Sequence, residues 1–293
     1  MIYEETAYAK LNLTLDILGK RPDGYHELRM VMQSIDLTDQ ITISPRQEPG
    51  FAITTDLPYL PKGDGNIAAK AAAWFFEKTG IAPAGLSIDI RKRIPVCAGM
   101  AGGSSDGAAV LRALRRLYAG ELTESRLEEI GALVGSDVPY CIRGGTVLAE
   151  GRGERLTDLP PLPPCWLVVC KPACSVSTPE LFAQVRLKRL RCHPDTTGML
   201  RALEQQDLEG VARRMYNVFE DVLPRRYGEV FSIKSELLGL GAIGASMTGS
   251  GPAVFGIFDD HAAALHAAEA LSGHYPAAHL CRPAQPVPYP GTC

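Results

Sequence analysis

The sequence predicts an α+β protein of two domains. Three observations carry that expectation: a length of 293 residues, strand-like and helix-like patterns that mix without strict βαβ alternation, and a proline-dense stretch near the middle. With 46% hydrophobic, 22% charged and 7% aromatic residues, the composition is that of an ordinary globular protein, which excludes collagen, coiled coil and disorder. A net charge of −3 offers no global field to a polyanionic backbone, so nucleic acid is not an expected partner. Gly 29 and Pro 22, together about 17% of the chain against roughly 12% in average usage, predict many tightly shaped loops.

The elements follow in order. Residues 7–17 alternate, with Ala7, Ala9, Leu11, Leu13, Leu15 and Ile17 on one side and Tyr8, Lys10, Asn12, Thr14 and Asp16 on the other; this spacing predicts a half-buried strand. Pro22-Asp23-Gly24 predicts a turn, and 28–37 and 41–44 predict two further strands. Asn66 is placed to cap a helix from Ile67 to about Lys78, stopped by Gly80, and 86–91 reads as strand. A glycine-containing loop, 94–103, feeds Ser104-Ser105-Asp106, good capping residues before the apolar face of Ala108, Leu111, Leu114 and Leu117. A helix over 122–134 ends at Gly135, and 145–150 with Gly151-Arg152-Gly153 predicts a hairpin. Leu159-Pro-Pro-Leu-Pro-Pro164 predicts a stiff, exposed connector, dividing the chain into 1–158 and 159–293. Beyond it come a strand at 166–170, a helix opened by Thr178-Pro179-Glu180, helices between about 197 and 239, a strand at 253–258 and a last helix capped by Asp260.

The opening Met1-Ile-Tyr-Glu-Glu-Thr lacks the basic start of an export signal, and the uncharged run 237–258 is too rich in glycine, proline and hydroxyl residues for a membrane span. The eight cysteines, Cys97, Cys141, Cys165, Cys170, Cys174, Cys192, Cys281 and Cys293, show no Cys-x-x-Cys spacing. A cytoplasmic protein with reduced thiols and no membrane partner is expected.

Pro95-Val96-Cys97-Ala98-Gly99-Met100-Ala101-Gly102-Gly103-Ser104-Ser105 combines three glycines with a helix start, so several backbone N–H groups converge at the positive end of a helix dipole. It is neither a P-loop, which needs a lysine where Ser104 stands, nor Gly-x-Gly-x-x-Gly. A second glycine loop, Thr248-Gly249-Ser250-Gly251-Pro252, lies in the other predicted domain and is expected to close over the same phosphates.

Three stretches, Ala9-Lys10-Leu11-Asn12-Leu13, the Pro95–Ser105 loop and Thr248–Pro252, resemble the GHMP kinase motifs in order and spacing. Within that family, Arg21-Pro-Asp-Gly-Tyr-His-Glu27, Gly135-Ser-Asp-Val-Pro139 and Ser177-Thr-Pro179 are similar to the branch whose acceptor is a cytidine diphosphate-linked polyol. The resemblance implies a ribosomal-S5-like N-terminal domain, a ferredoxin-like C-terminal domain and an active site in the cleft between them. It also implies transfer of the γ-phosphoryl group of ATP to a tertiary 2-hydroxyl, on the non-mevalonate route to isoprenoid precursors. A kinase of homoserine or mevalonate would share the ATP loops, but its substrate has no base to stack; a non-catalytic S5-like module is disfavoured by the presence of both Lys10 and Asp137.

Such a transfer asks for positioning and charge stabilisation more than covalent chemistry. A crowded tertiary alcohol calls for a carboxylate beside it and a cation, parts that Asp137 and Lys10 fit. Alone, Lys10 reads as a solvated strand lysine and Asp137 as a loop or capping acid; the joint motif match reverses both, and leaves open whether Asp137 removes the proton or orients the hydroxyl. Ser104 or Ser105 is the candidate ligand for the Mg²⁺ that escorts ATP, although either would also serve as a plain N-cap. By the resemblance Asn66 and Lys92 lie near the adenosine, Tyr25, His26 and Phe182 recognise the cytosine, and Asn12 and Thr178 contact the polyol end. Met100-Ala101 replaces the commoner Leu-Gly, and Gly107 the commoner Ala; the loop needs only backbone donors, so function is expected to survive.

Overall fold

The computed structural model describes residues 2–83, 85–187 and 190–287; Cys293 lies outside them. The amino-terminal chain builds a sheet from β1 (Tyr3–Lys20), β2 (His26–Pro45), β3 (Phe51–Thr55), β4 (Leu86–Arg91), β5 (Thr146–Gly151) and β6 (Arg155–Asp158). It is ordered β3-β4-β2-β1, with β5 and β6 branching from β2. Helices α1 (Ile67–Thr79), α2 (Gly102–Tyr118), α3 (Glu124–Val134) and α4 (Val138–Arg143) pack with it. After β7 (Trp166–Lys171) come α5 (Thr178–Gln184), α6 (Thr196–Glu204), α7 (Leu208–Arg214), the short β8 (Tyr216–Asn217), α8 (Phe219–Val222) and α9 (Glu229–Gly239). The chain then forms β9 (Gly244–Met247), β10 (Val254–Phe258), α10 (His261–Ser272) and β11 (Ala277–Cys281).

The second sheet is antiparallel with order β11-β7-β10-β9. Its strands stand fourth, first, third and second in chain order, with helices after the first and third; this is the ferredoxin-like arrangement. β8 leaves this half and pairs in parallel with β1 at Thr14 and Leu15, stitching the two sheets together.

Several expectations need correction. The strand over 7–17 is buried on both faces, since Lys10, Asn12, Thr14 and Asp16 are each under 5% exposed. Its unbroken alternation also hides two rotations. Register shifts between Tyr8 and Ala9 and between Asn12 and Thr14 turn Ala9, Leu11 and Leu13 into the core shared with Leu167, Val169, Phe255 and Ile257 of the other sheet. Ala7, Leu15 and Ile17 instead join the core that contains the helices. The two strands expected at 28–37 and 41–44 are one strand, β2, because Asp36 and Leu37 bulge out of the ladder without ending it. The proline stretch is only partly exposed: Leu162 is 6% exposed, and its N–H donates to Thr146 Oγ1 at 3.1 Å. Ser104, Ser105 and Asp106 do not precede α2 but lie inside its first turns, after Ala101 in the left-handed region at φ +57°. Asn66 caps α1, Gly80 ends it and Asp260 caps α10, as the sequence predicts. Among the described residues no helix is long and apolar enough to cross a membrane.

Candidate active site

Two cavities meet at the glycine loop 95–103. The larger, about 740 Å³, lies between the two sheets and is lined by Lys10, Tyr25, His26, Asp137, Thr178 and Phe182 together with Gly249, Ser250 and Gly251. The smaller, about 360 Å³, is lined by Asn66, Lys92 and every residue from Pro95 to Ser104. Cys97, Gly99, Ala101 and Ser104 face both. A nucleotide in the smaller cavity would therefore present its phosphates at the wall it shares with the larger one.

The wall is built from backbone. Ser105 N is bonded to Ala101 O, and the helix start leaves the N–H groups of Gly102, Gly103 and Ser104 without intrahelical acceptors, at the positive end of the α2 dipole. The second glycine loop packs against the first. Gly99 stands at φ +76° and Gly249 at φ +56°, and a Cβ on either would overlap the backbone of the opposite loop. Only glycine permits this approach. Thr248 is wholly buried and does not face the cavities; its Oγ1 accepts from Asn12 N at 3.1 Å and approaches Gly99 O at 3.4 Å. It ties β1 to both loops.

Lys10 and Asp137 come together across the larger cavity. Lys10 Nζ lies 3.9 Å from Asp137 Oδ2, with the lysine side chain 5% and the aspartate 33% exposed. Asp137 occupies the N-cap position of α4, yet its side chain makes no cap bond, so its carboxylate is available to the cleft. Asn12 is fully buried and its Oδ1 accepts from Lys10 Nζ at 2.6 Å; it aims the lysine and does not line the cleft. Thr178 does line it, with Oγ1 2.6 Å from Ser250 Oγ, which joins α5 to the second glycine loop. The N-cap of α5 is Ser177, not Thr178.

The aromatic end holds His26 stacked on Phe182 at 4.9 Å and 24°, and Phe182 edge-on to Phe219 at 4.9 Å. Tyr25 is 54% exposed at the mouth. Burial, helped by Lys20, pushes the His26 imidazole below its ordinary value, favouring the neutral ring.

Lys92, which follows β4, keeps its side chain buried and paired. That side chain is 4% exposed and its ammonium donates to both Asp39 and Asp106. Asp39 Oδ1 in turn accepts from the N–H groups of Arg93 and Ile94 at 2.5 and 2.8 Å. One buried ammonium thus clamps the start of the loop to the first turns of α2. Ser105 is turned away from the cavities and donates to Tyr8 O at 2.7 Å; Ser104 alone of the pair faces them. Asn66 spends its side chain on capping Ala68 N and on Pro61 O while lining the smaller cavity.

Sequence reasoning missed Asp39, Arg152 and Asn217. Asn217, in the stretch 197–239 that carried no functional signal, is buried and donates to Met247 O and Gly249 O at 2.8 Å each, holding the second glycine loop. Arg152 was legible only as a turn residue between two glycines; its side chain lines the larger cavity.

Comparison with known proteins identifies the family. The model of the GHMP kinases N terminal domain matches residues 66–145 and that of GHMP kinases C terminal matches 199–277. A protein of Acetivibrio thermocellus named 4-diphosphocytidyl-2-C-methyl-D-erythritol kinase is 46% identical over 90% of this chain and 93% of its own. One of the same name from Alkaliphilus metalliredigens is 45% identical over 93% of each. A crystal structure of 4-(cytidine 5'-diphospho)-2C-methyl-D-erythritol kinase superposes with a TM-score of 0.80 at 34% identity, covering 96% of this chain and 99% of that one. A mevalonate kinase from L. major shares the fold at a TM-score of 0.73 and 20% identity, covering 97% and 96%. With motifs, fold and relatives in agreement, the chain belongs to the GHMP kinases.

Proposed function

We propose that this chain transfers the γ-phosphoryl group of ATP to the 2-hydroxyl of 4-diphosphocytidyl-2-C-methyl-D-erythritol. The observation that carries the reading is the Lys10–Asp137 pair, 3.9 Å apart, in a cavity that shares the glycine-loop wall with a second one of about 360 Å³. Residues 1–158 supply the first loop and 159–293 the second.

ATP occupies the smaller cavity, its phosphates held by the backbone donors of Gly102, Gly103 and Ser104 and covered by Gly249–Gly251. The acceptor lies in the larger cavity, its base against the aromatic residues and its hydroxyl beside Asp137. The acceptor oxygen attacks the γ-phosphorus, the new O–P bond forms as the bond to the β-phosphate oxygen breaks, and the hydroxyl proton passes to the Asp137 carboxylate. A loose transition state leaves that proton in place until late, so Asp137 acts first by orienting the hydroxyl. Lys10, steadied by Asn12 Oδ1, stabilises the charge on the transferred group.

Mg²⁺ belongs to this reading as the partner of the nucleotide. Among the described residues no group of three or more His, Cys, Asp or Glu could hold a metal. A hydroxyl aided by phosphate oxygens and waters suits Mg²⁺, which keeps much of its hydration. Ser104 is the residue to supply that hydroxyl, and the ion would neutralise phosphate charge. The reading carries a cytoplasmic location, where ATP is at hand and thiols such as Cys97 stay reduced.

The test is ADP release by the purified protein offered the diphosphocytidyl alcohol, mevalonate or homoserine. Turnover of the first alone is expected; turnover of either simple alcohol in its place overturns the assignment.

A further inference from the structure

The cations lining the larger cavity, among the described residues, are Lys10 and Arg152. Lys10 is held by Asn12 and Asp137 at the acceptor hydroxyl, where it is assigned to the transferred group. The side chains assigned to the acceptor, Tyr25, His26, Thr178 and Phe182, bring no fixed charge, and His26 is held towards its neutral form. The acceptor proposed above nevertheless carries a diphosphate between its base and its polyol. Two negative charges entering a partly desolvated cleft call for a cation with directional donors.

Arg152 meets that demand. It sits at the tip of the β5–β6 hairpin, and the turn is fixed from behind: Arg152 N donates to Glu154 Oε2 at 2.6 Å, and Gly153 packs near Met30 and the Ser136 carbonyl. The guanidinium lies 4.9 Å over the Tyr25 ring, a contact that orients the side chain without using its donors. No carboxylate of the described residues forms an ion pair with it. Asp23 is near enough to feel its charge, but is itself bonded to Arg21.

We infer that Arg152 is a specificity-determining residue that recognises the diphosphate of the acceptor, distinguishing a nucleoside diphosphate ester from a bare nucleoside or a simple alcohol. Stacked on Tyr25, the guanidinium occupies one face of the ring and leaves the other for the base. Its donors remain free for phosphate oxygens. This inference rests on the acceptor class proposed above and adds the group that reads its charge.

The experiment compares binding of cytidine diphosphate and of cytidine by calorimetry, in the wild-type protein and in Arg152→Ala and Arg152→Gln, with an ATP analogue as a check that each variant is folded. Wild-type protein is expected to prefer the diphosphate, and loss of a charge-assisted contact should shrink that preference by about tenfold or more in both variants. A residue that only propped Tyr25 would weaken both ligands alike and keep their ratio; an unchanged ratio overturns the inference and leaves the kinase reading standing. Wild-type protein that binds neither cytidine ligand overturns both together.

Discussion

Asp106→Asn should flatten the pH dependence of stability, because a single ammonium, Lys92, faces two buried carboxylates. Burial pushes Asp106 up from 3.8 to about 7, with the positive charge of Lys92 opposing and Asp39 reinforcing the rise. Asp106 Oδ1 is buried without a hydrogen-bond partner, a position in which a negative charge is poorly stabilised. The folded protein therefore binds a proton that the unfolded chain has already released, and stability falls as pH rises from about 4 to about 7. For these two values the loss between about pH 5.5 and about pH 8 is about 2 kcal/mol. Spread over the unfolding entropy of a chain of this size, it corresponds to about 3 °C in Tm. Asparagine keeps the shape and the neutrality but cannot titrate. Urea unfolding and thermal melts of both proteins at the two pH values measure the difference of differences, in which titrating groups remote from the Lys92 cluster cancel. Equal pH slopes in the two proteins would mean that Asp106 is ionised throughout, and would refute a triad that is neutral overall.

Asp137→Asn is expected to lower kcat by at least about 10²-fold while ATP binding persists, the size of loss seen when a positioned acid–base group is removed; near-normal turnover would take Asp137 out of the mechanism. Gly99→Ala asks an L-residue to hold φ +76° with its Cβ against the Thr248 carbonyl. Left-handed backbone alone costs about 1–2 kcal/mol, and relief requires the two loops to part. A rise in the KM for ATP of about tenfold or more and a lower Tm are expected; an unchanged KM would show that the second loop has no part in holding the nucleotide.

What the sequence made legible, and what it hid, divides along a physical line. Asn66, Gly80 and Asp260 were readable because a cap is a local bargain between one side chain and a few N–H groups. The paired glycine loops were readable as composition, since close backbone approach demands glycine wherever the partner lies. The roles inside the site were less so. Lys10 and Lys92 look alike as strand or strand-end lysines, yet one reaches the cleft and the other is consumed by Asp39 and Asp106. Ser104 and Ser105 are neighbours in sequence and point about 100° apart on a helix, so one faces the cavities and the other is spent on Tyr8 O. Asp39 and Asn217 carry no local signal, because each acts on backbone far away in the chain. The bulges in β1 were invisible for a similar reason: period-2 alternation records which residues are apolar, not which of two cores each one enters.

The departures from the commoner loop motif show how local strain and distant packing are linked. Ala101 stands at φ +57° and Cys97 at φ +53°, conformations that cost an L-residue about 1–2 kcal/mol each. Such backbone persists only where its surroundings over-determine it. Here the entry to the loop is pinned by Asp39, its exit by the Lys92–Asp106 contact, and its back by Gly249 and Thr248. Gly107 fits the same account: a Cβ there would stand 2.9 Å from Ile67 Cγ2, so the glycine leaves room for an isoleucine that also packs under Gly103 and helps to seat the start of α2. The anchors hold the donors of Gly102, Gly103 and Ser104 in place at the wall proposed to receive the phosphates. Preorganisation of that kind, more than any single side chain, is what a loose phosphoryl transition state asks of a protein.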